Sequence, residues 1–380
     1  MRNLLMRDCA VVLKAVLKLI YFFLKLFPVN DDKVLFCSRQ SNVIPLDFVL
    51  LQKYLSEKQA GIQCISICRN IGRGIGDYVR FAWCMLVSMY HLATSKVCVI
   101  DSYWPAVSLL NHKNSLTVIQ IWHAIGKIKK SGHASVGAVS GRSSDSAKLL
   151  NMHENYDYII AGAEIWNNYY CESFGVNEDK LLNFGLPRID YLINTEQENR
   201  RRFFDENPQL SEKKIILYAP TFRRNMETKW DKIIDKVDYN RYALIIKNHP
   251  SQRIYGDKPC GEVYYFDDWK TMDLIAVCDY IITDYSAIAL EAAVLKKRTY
   301  YWVYDYNEYL KNNGLNINLY EAAPGHVYED LDELMKAIED DIYDDSVLEN
   351  YRNRYLPAEL GTSTEKICNL IVKSMAGKKD

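Results

Sequence analysis

The most constraining feature of the sequence is a pattern that occurs twice. Short runs rich in β-branched and aromatic residues alternate with longer segments of helical periodicity. In the first half the strand-like runs lie at residues 34–38, 64–68, 97–101, 116–121 and 158–161, and the pattern restarts after Arg200 at 214–218, 242–247 and 280–283. Such alternation indicates parallel βα units. The sequence therefore predicts an α/β protein with two Rossmann-like domains that face a cleft.

Length and charge are consistent with this organisation. A chain of 380 residues suits two domains of ordinary size. We predict a helix at residues 1–30, a first domain at 31–195, a second domain at 196–345 and a helical C-terminal segment at 346–380. The formal net charge of −1 provides no global attraction to nucleic acid, so no nucleic-acid partner is expected.

The N-terminal segment at residues 10–27 is apolar but contains Lys14, Lys18 and Lys25. Because each lysine at a bilayer centre costs about 2.5–3.5 kcal/mol, a membrane span is disfavoured. At about 100° per residue, Arg7 and the three lysines lie within a sector of roughly 40° on a helix. This pattern predicts an amphipathic helix that lies on an anionic membrane surface. The alternative is a helix that packs on its own protein.

Polar residues follow a predicted strand in the first half. His123 comes just after the 116–121 run, Gly126 permits a turn, and Lys127, Lys129 and Lys130 follow. Ligands of open α/β sheets bind at the carboxyl ends of the strands. We therefore expect His123 to act as a general base towards a hydroxyl, and the lysines to hold phosphate. The alternative is a core histidine beside a solvated basic loop.

The second half contains similar strand ends. Thr221 and Arg223 follow the 214–218 run, and Lys247 and His249 follow the next run, where Pro250 interrupts regular structure. Three polar strand ends in one domain, counting the one at 283–286, predict a shared site.

The segment at residues 279–293 combines the end of a strand with the start of a helix. Thr283 and Ser286 are expected to face an anion at the helix N-terminus, together with Asp284 at the same turn. Asp284 and Ser286 can equally be plain helix caps. Glu291, on the same helix, is a candidate for binding a ribose hydroxyl.

Two missing motifs narrow the class of site. The chain has no GxxxxGK[ST] phosphate loop and no GxGxxG after a strand. Its single Asp-x-Asp, at Asp330 and Asp332, lies at a helix start where acidic residues favour the helix dipole. No metal site is therefore predicted. The Gly- and Ser-rich segment at 131–146 is expected to be a mobile surface loop, and a candidate lid.

Taken in order, these segments resemble the CDP-glycerol:polyglycerophosphate glycerophosphotransferase family, the teichoic-acid primases and polymerases. The resemblance covers roughly residues 33–345. Its motifs lie at 120–130, 153–158, 174–180, 185–190, 217–223, 248–250, 282–286 and 324–325. The departures include Ile189, where many members have Asn or Thr, and Lys247, where many have Arg. The family is similar in fold to GT-B glycosyltransferases, which agrees with the two-domain prediction.

The resemblance implies a reaction without a metal or other cofactor. An acceptor hydroxyl attacks the phosphorus that bears the polyol, and CMP leaves. The first domain is then the acceptor domain and the second the CDP-donor domain. The implied acceptor is a lipid-linked, teichoic-acid-like polymer at the cytoplasmic face of the cell membrane, where the enzyme is peripheral. CDP-glycerol and CDP-ribitol are equally compatible donors.

The resemblance also implies residue roles. His123 corresponds to the histidine of the family's Trp-His motif and is the expected general base. Arg188, Arg223 and His249 are expected to stabilise charge on the phosphoryl oxygens. The donor is expected near His249, Thr283, Ser286 and Glu291, with Thr221, Arg223, Lys247 and Asp284 also contributing. Two alternatives stay open: a GT-B sugar-nucleotide glycosyltransferase or epimerase, and a non-catalytic scaffold for polymer assembly.

Overall fold

The structure is a computed structural model that describes residues 2–72, 74–139, 141–221, 229–247 and 263–377. It contains two six-stranded sheets, and every strand pair in both sheets is parallel. The central strands are buried on both faces, as parallel sheets covered by helices require, whereas the strands at the sheet edges are partly exposed. This architecture agrees with the predicted pair of α/β domains.

The first sheet is built from residues 30–182. Its strands are β1 (Asn30–Ser38), β2 (Gln63–Cys68), β3 (Ser95–Ile100), β4 (Thr117–Gln120), β5 (Tyr158–Ile160) and β6 (Leu181–Leu182). The helices of this half are α1 (Arg2–Leu24), α2 (Leu46–Lys58), α3 (Ile75–Thr94), α4 (Pro105–Leu109), α5 (Ser144–Leu149) and α6 (Asn167–Phe174). The strand order is β2-β1-β3-β4-β5-β6, so the winding direction reverses between β1 and β3.

The second half begins with the long helix α7 (Pro187–Glu206). Its strands are β7 (Lys214–Tyr218), β8 (Tyr242–Ile246), β9 (Val263–Tyr264), β10 (Tyr280–Thr283), β11 (Arg298–Trp302) and β12 (Val327–Tyr328). Its helices are α8 (Thr271–Val277), α9 (Ile288–Val294), α10 (Tyr306–Asn312), α11 (Leu319–Ala322), α12 (Leu331–Glu339), α13 (Asp345–Tyr355) and α14 (Ser363–Gly377). The order β12-β11-β10-β7-β8-β9 places the reversal between β7 and β10. Ligands bind beside such reversals, at the carboxyl ends of the strands.

The two halves are joined by a continuous helix, α7. The boundary at residues 195/196 falls inside α7, which packs on α2 of the first half and on α8 and α9 of the second. The C-terminal helix α14 returns to the first domain and packs on α2 and β3. Asp190 of α7 holds the start of α14, because its carboxylate accepts the backbone N–H groups of Ser363 (3.1 Å) and Thr364 (2.6 Å). The first domain is therefore completed by the last helix of the chain.

The N-terminal segment forms a helix, as predicted, but one basic residue has a different environment. The Nζ of Lys14 donates to the backbone oxygen of Leu149 at 3.3 Å and to Oδ1 of Asn151 at 2.8 Å. On the same side, Tyr21 is buried and its hydroxyl contacts His112. Lys14 therefore faces the protein rather than a lipid head group. Among the described residues, no helix is long and apolar enough to cross a membrane.

The segment expected to be a mobile loop, residues 131–146, contains ordered local structure. A short 3-10 helix spans Gly132–Ser135, and α5 begins at Ser144. His133 Nε2 contacts the backbone oxygen of Met152 at 2.8 Å. Gly132 has a positive φ of 58°, and a Cβ there would collide with the backbone oxygen of Ser173. The glycine at this position is thus explained by close packing against α6.

Candidate active site

A cavity of about 450 Å³ lies between the domains, at the carboxyl ends of the strands and beside both reversals of winding. From the first half it is lined by Gln40, Trp122, His123, Ala124, Gly126, residues 127–131 and Arg188. From the second half it is lined by Ala219, Pro220, Lys247, Thr271, Met272, residues 285–288, Glu291, Tyr309 and Asn313. Eight predicted site residues thus share one cavity: His123, Lys127, Lys129, Lys130, Arg188, Lys247, Ser286 and Glu291.

His123 has a defined tautomer. Its Nδ1 lies 2.9 Å from the backbone oxygen of Asp101, and a carbonyl oxygen can only accept, so Nδ1 carries the proton. Nε2 is therefore the nitrogen that can accept a proton. Burial lowers the pKa of His123 to about 3, and the positive charges of Lys127, Arg188 and Lys129 act in the same direction. The imidazole is neutral at pH 7, as a general base must be.

The side chains around His123 include one that sequence reasoning missed. The amide of Gln40, which follows β1, lies 3.2 Å from Nδ1 of His123. Since Nδ1 donates, the oxygen of the amide suits this position better than its nitrogen. Asp101, whose backbone oxygen holds His123, follows the neighbouring strand β3. Only the adjacency of three strand ends in the folded sheet brings these residues together.

Lys127 occupies a cage of aromatic rings. Its ammonium lies 4.0 Å from the ring centroid of Trp122, 4.3 Å from that of Phe174 and 4.9 Å from that of Tyr170. The side chain is only 2% exposed, and its hydrogen-bond partner is the hydroxyl of Ser131 at 3.1 Å. The ammonium thus contacts protein rings rather than the expected substrate phosphate. Burial lowers the pKa of Lys127 well below its usual value.

The caged lysine and the candidate base share one aromatic residue. The ring of Trp122 also contacts that of His123, with centroids 4.1 Å apart and ring planes tilted by 34°. The backbone of Trp122 has a φ of +59°, a conformation that is costly for a large side chain and is found mainly where surrounding contacts enforce it. The cage therefore supports the strained residue that immediately precedes His123.

We expect Lys127→Met to stabilise the protein. Replacing a buried charge by an apolar side chain of similar length is often stabilising by about 1–4 kcal/mol. Because the pKa of Lys127 is lowered in the folded protein, the unfolded chain binds more protons at Lys127 than the folded chain does below about pH 10. The free energy of unfolding of the wild type therefore decreases as the pH falls. Urea unfolding at pH 7 and pH 9.5 measures the gain, which should shrink at the higher pH.

The exposed neighbour Lys130 supplies the matched control for this experiment, because Lys130→Met changes the same chemical group outside the cage. It should leave the free energy of unfolding within about 0.5 kcal/mol of wild type. A clear loss of stability in Lys127→Met would show that the cation–π contacts outweigh the cost of burying the charge.

Arg188 joins the two domains. Its Nε donates to Asp47 at 2.9 Å, its Nη2 is paired with the same carboxylate, and its Nη1 contacts Oε1 of Glu291 at 3.3 Å. Asp47 belongs to α2 of the first half and Glu291 to α9 of the second. Burial opposes the charge of Arg188, but the two carboxylates raise its pKa. Most of its donors are thus used by protein carboxylates.

Glu291 is nearly fully buried at the wall of the cavity. Burial raises its pKa to about 7, and Arg188 opposes this shift. Ile189, the residue after Arg188, is completely buried. Its burial explains why an apolar side chain lies where the family motif often has a polar one. This part of the Pro187–Asp190 motif therefore serves the junction between the domains.

Thr283 and Asp284, which were both predicted to contact the CDP-donor, stabilise a turn and do not line the cavity. Thr283 is fully buried, and its hydroxyl donates to the backbone oxygen of Ala219 at 2.8 Å. The carboxylate of Asp284 accepts the backbone N–H of Thr221, at 2.9 and 3.0 Å from its two oxygens, and that of Tyr285 at 2.7 Å. These bonds tie the end of β10 to the end of β7, across the reversal of winding. They support the cavity wall from behind.

Other predicted residues of the second half have mixed positions. Ser286 lines the cavity, and its hydroxyl lies 3.4 Å from the backbone nitrogen of Ile288 in the manner of a cap. The Nζ of Lys247 donates to the backbone oxygens of Phe266 (2.9 Å) and Trp269 (2.7 Å). Burial lowers the pKa of Lys247. Arg223 and His249 lie outside the described residues.

The basic loop crosses to the second domain. Asn316 donates from its side chain to the backbone oxygen of Lys127 at 2.7 Å, and Lys130 N–H donates to the backbone oxygen of Gly314 at 3.2 Å. Lys129 forms an isolated bridge with Leu315. The sequence provided no signal for residues 314–316, which lie far away in the chain. Within the described part of the chain, no cluster of three His, Cys, Asp or Glu residues is arranged to hold a metal ion.

Comparison with known proteins assigns the chain to a family. Residues 19–373 match the family model described as CDP-glycerol:poly(glycerophosphate) glycerophosphotransferase. The chain is 28% identical over 370 residues to the teichoic acid ribitol-phosphate primase of Bacillus spizizenii W23, covering 93% of this chain and 94% of the primase. It is 29% identical over 295 residues to the teichoic acid glycerol-phosphate primase of Bacillus subtilis 168, covering 76% of each.

A solved structure supports the fold. The wall teichoic acid polymerase TagF superposes with a TM-score of 0.74 at 19% identity, over 98% of this chain and 97% of that one. The predicted GT-B-like class is thereby confirmed. With the family model spanning nearly the whole sequence, the chain belongs to the CDP-glycerol:poly(glycerophosphate) glycerophosphotransferase family and is a transferase.

Proposed function

We propose that the chain transfers glycerol phosphate or ribitol phosphate from a CDP-activated donor to a hydroxyl of a lipid-linked, teichoic-acid-like acceptor, releasing CMP. The observation that carries this proposal is the neutral His123, whose fixed tautomer leaves Nε2 as proton acceptor in a cavity also lined by Lys247 and Ser286. The two primases to which the chain is similar are named for ribitol phosphate and glycerol phosphate, and these names are the reason for proposing these two groups.

In this mechanism the acceptor hydroxyl loses its proton to Nε2 of His123 as its oxygen bonds to the phosphorus that bears the polyol. The bond from that phosphorus to the bridging oxygen of the diphosphate breaks, and CMP leaves with the electron pair. The low basicity of His123 suits a late proton transfer, because phosphoryl transfer has a loose transition state with little early bond formation. Cationic groups around the cavity stabilise charge on the phosphoryl oxygens.

The test is CMP release by the purified protein with CDP-glycerol and with CDP-ribitol, each with and without a lipid-linked acceptor and EDTA. We expect acceptor-dependent CMP with one of these donors, and no loss of rate in EDTA. UDP- and GDP-sugars form the comparison set. Turnover of a UDP-sugar with no CMP from either CDP-polyol would replace this proposal by a sugar-nucleotide enzyme, and no turnover of any donor would favour a scaffold.

We also propose that the protein is peripheral at the cytoplasmic face of the cell membrane. The outer face of α1 exposes a row of large apolar side chains, among them Val12, Val16, Leu19 and Phe23. A contiguous exposed apolar surface on a folded protein marks an interaction site. An anionic membrane surface suits this helix because Lys18 also lies exposed on it.

A second helix adds to the same apolar surface. Along α3, the exposed residues Ile75, Val79, Trp83 and Leu86 are spaced three or four apart and therefore share one face. The ring of Tyr90 at the end of this helix lies 5.7 Å from that of Phe27, which follows α1. The sequence pattern of α1 does not predict this larger surface. The sequence of α3 does not predict it either, because α3 has no row of basic residues like that of α1.

We expect the double variant Val79→Ser/Trp83→Ser to bind anionic vesicles about 10-fold or more weakly than wild type, because both side chains are more than half exposed and lose apolar surface for burial in lipid. Vesicle sedimentation measures the change. Ile342→Ser, at a 58% exposed apolar position of the other domain, is the control and should bind as wild type does. Unchanged binding of the α3 variant would exclude α3 from the membrane surface.

A further inference from the structure

We propose that Arg39 and Arg142 form a phosphate-binding subsite that holds a phosphodiester of the acceptor beside His123. This inference rests on the proposed function, since it assigns a place to the acceptor of that reaction. Neither arginine belongs to a predicted site. Both lie in the first domain, outside the cavity lining but next to it in the chain, since Arg39 directly precedes the lining residue Gln40. The argument comes from their position, their shared support and their lack of acidic partners.

The position of Arg39 links it to the candidate base. Arg39 directly follows β1, and its backbone N–H donates to the hydroxyl of Ser102 at 3.0 Å. The next residue, Gln40, contacts His123. Ser102 directly follows Asp101, whose backbone oxygen holds the other contact of His123 Nδ1. Arg39 is therefore fixed at the same group of strand ends as the imidazole.

Both guanidinium groups lie against the same aromatic ring. The Cζ of Arg39 is 5.4 Å and that of Arg142 is 5.2 Å from the ring centroid of Tyr103. Tyr103 is itself immobilised, since it is 5% exposed and its hydroxyl donates to the backbone oxygen of Leu150 at 2.7 Å. Arg142 is brought to it by the 131–146 segment, where Gly137 N–H donates to the backbone oxygen of Arg142 at 3.0 Å.

The two cations have no acidic partner in the part of the chain that the structure describes. Among the residues that the structure describes, no ion pair involves either guanidinium, and Nε of Arg39 is buried without a hydrogen-bond partner. The cations at the amino edge of the second sheet differ: Lys214 is near Asp279, and Arg298 pairs with both Asp341 and Asp345. Lys214 and Arg298 thus have carboxylate partners, whereas Arg39 and Arg142 have none among the described residues.

The surroundings increase the local positive charge. Burial lowers the pKa of Arg39, and the nearby charge of Arg142 lowers it further. Burial likewise lowers the pKa of His153, with contributions from Lys127, His133 and both arginines. The carboxylate that interacts electrostatically with Arg39 is that of Asp101, and burial raises the pKa of Asp101 to about 7. Like charges held this close are unfavourable until an anion binds between them.

Phosphate is the anion that this arrangement suits. Guanidinium groups form paired hydrogen bonds with two oxygens of a phosphate, and a rigid aromatic support reduces the entropy lost on binding. An acceptor in the proposed reaction carries phosphodiesters near its terminal hydroxyl. A phosphodiester held by Arg39 and Arg142 would direct that hydroxyl towards His123.

The test uses a lipid-linked oligo(glycerol phosphate) and a phosphate-free lipid-linked polyol as alternative acceptors. For Arg39→Gln, Arg142→Gln and the double variant, we expect the KM for the phosphate-bearing acceptor to rise about 10–100-fold. The KM for the CDP-polyol and the rate with the phosphate-free acceptor should not change. Arg39→Lys should restore part of the loss, because it keeps the charge but not the paired geometry. Arg241→Gln, at an exposed arginine of the second domain, is the control.

Direct binding of the same oligomer, measured by calorimetry, separates this inference from the proposed function. If the wild type releases no CMP from any donor but binds the oligomer, and the double variant does not, the proposed reaction is wrong while the subsite stands. A rise in the KM for the CDP-polyol would assign the arginines to the donor and overturn the inference. Unchanged oligomer binding in a folded double variant would also overturn it.

Discussion

Replacing His123 by Asn is expected to lower acceptor-dependent CMP release by about 10²–10⁴-fold, the range typical of a lost general base. Asn can keep a hydrogen bond to the backbone oxygen of Asp101, so the folded structure around the site should persist. It offers no nitrogen that can accept the proton of the attacking hydroxyl. Single-turnover CMP release at saturating acceptor measures the chemical step directly.

The matched control for His123→Asn is His91→Asn. His91 lies near the end of α3, just before β3 begins, and therefore at the opposite edge of the sheet. It should retain the wild-type rate. Thermal unfolding of both variants checks that the fold is intact. If His123→Asn kept more than about a tenth of the wild-type rate, well above the range for a lost base, the proton would have to pass to another group.

Strands of three or more residues were predictable from the sequence, with the exception of β11 (Arg298–Trp302). The runs that form β1, β3, β7 and β8 contain continuous apolar segments of four or five residues and are predicted from the sequence. By contrast, β6, β9 and β12 have two residues each, too few to show a period. The return of α14 to the first domain could not be inferred either, because it depends on tertiary contacts such as the cap provided by Asp190.

Part of the site was also predictable, because the sequence shows where the strands end. The rule that ligands meet the carboxyl ends of parallel strands located His123, Ser286 and Lys247 at one cavity. The rule does not say which way a side chain points. Thr283 and Asp284 therefore turned out to brace the wall, and Lys127 to lie within a ring cage. Residues that act through neighbours, such as Gln40, have no sequence signature.

The junction of the domains shows how a motif can combine stability with function. Pro187 starts α7, Arg188 pairs with carboxylates of both halves, and Asp190 caps the last helix. The two carboxylates that Arg188 joins are almost completely buried. Burying two acids near each other is tolerated only because a cation lies between them. The stability of the closed cavity thus depends on one guanidinium.

Arg188→Met is therefore expected to lower the free energy of unfolding by about 3–5 kcal/mol, the usual effect of removing one partner from a buried ionic group. Without the guanidinium, the carboxylates of Asp47 and Glu291 remain buried and uncompensated. The pKa of Glu291, already raised to about 7 by burial, should rise further. Glu291 would then be protonated at neutral pH. Urea unfolding at pH 7 measures the loss of stability, and Arg201→Met, at an exposed position of the same helix, should change it by less than about 0.5 kcal/mol.

A second substitution distinguishes lost ion pairing from lost packing. Adding Asp47→Asn to Arg188→Met removes the buried charge of Asp47 that has lost its partner, so the double variant should be more stable than Arg188→Met alone. Asp47→Asn by itself should be destabilising, because Arg188 then loses its closest partner. If the two substitutions were instead additive, the charges would not be coupled, and the cost of Arg188→Met would lie in the packing of its side chain between the domains.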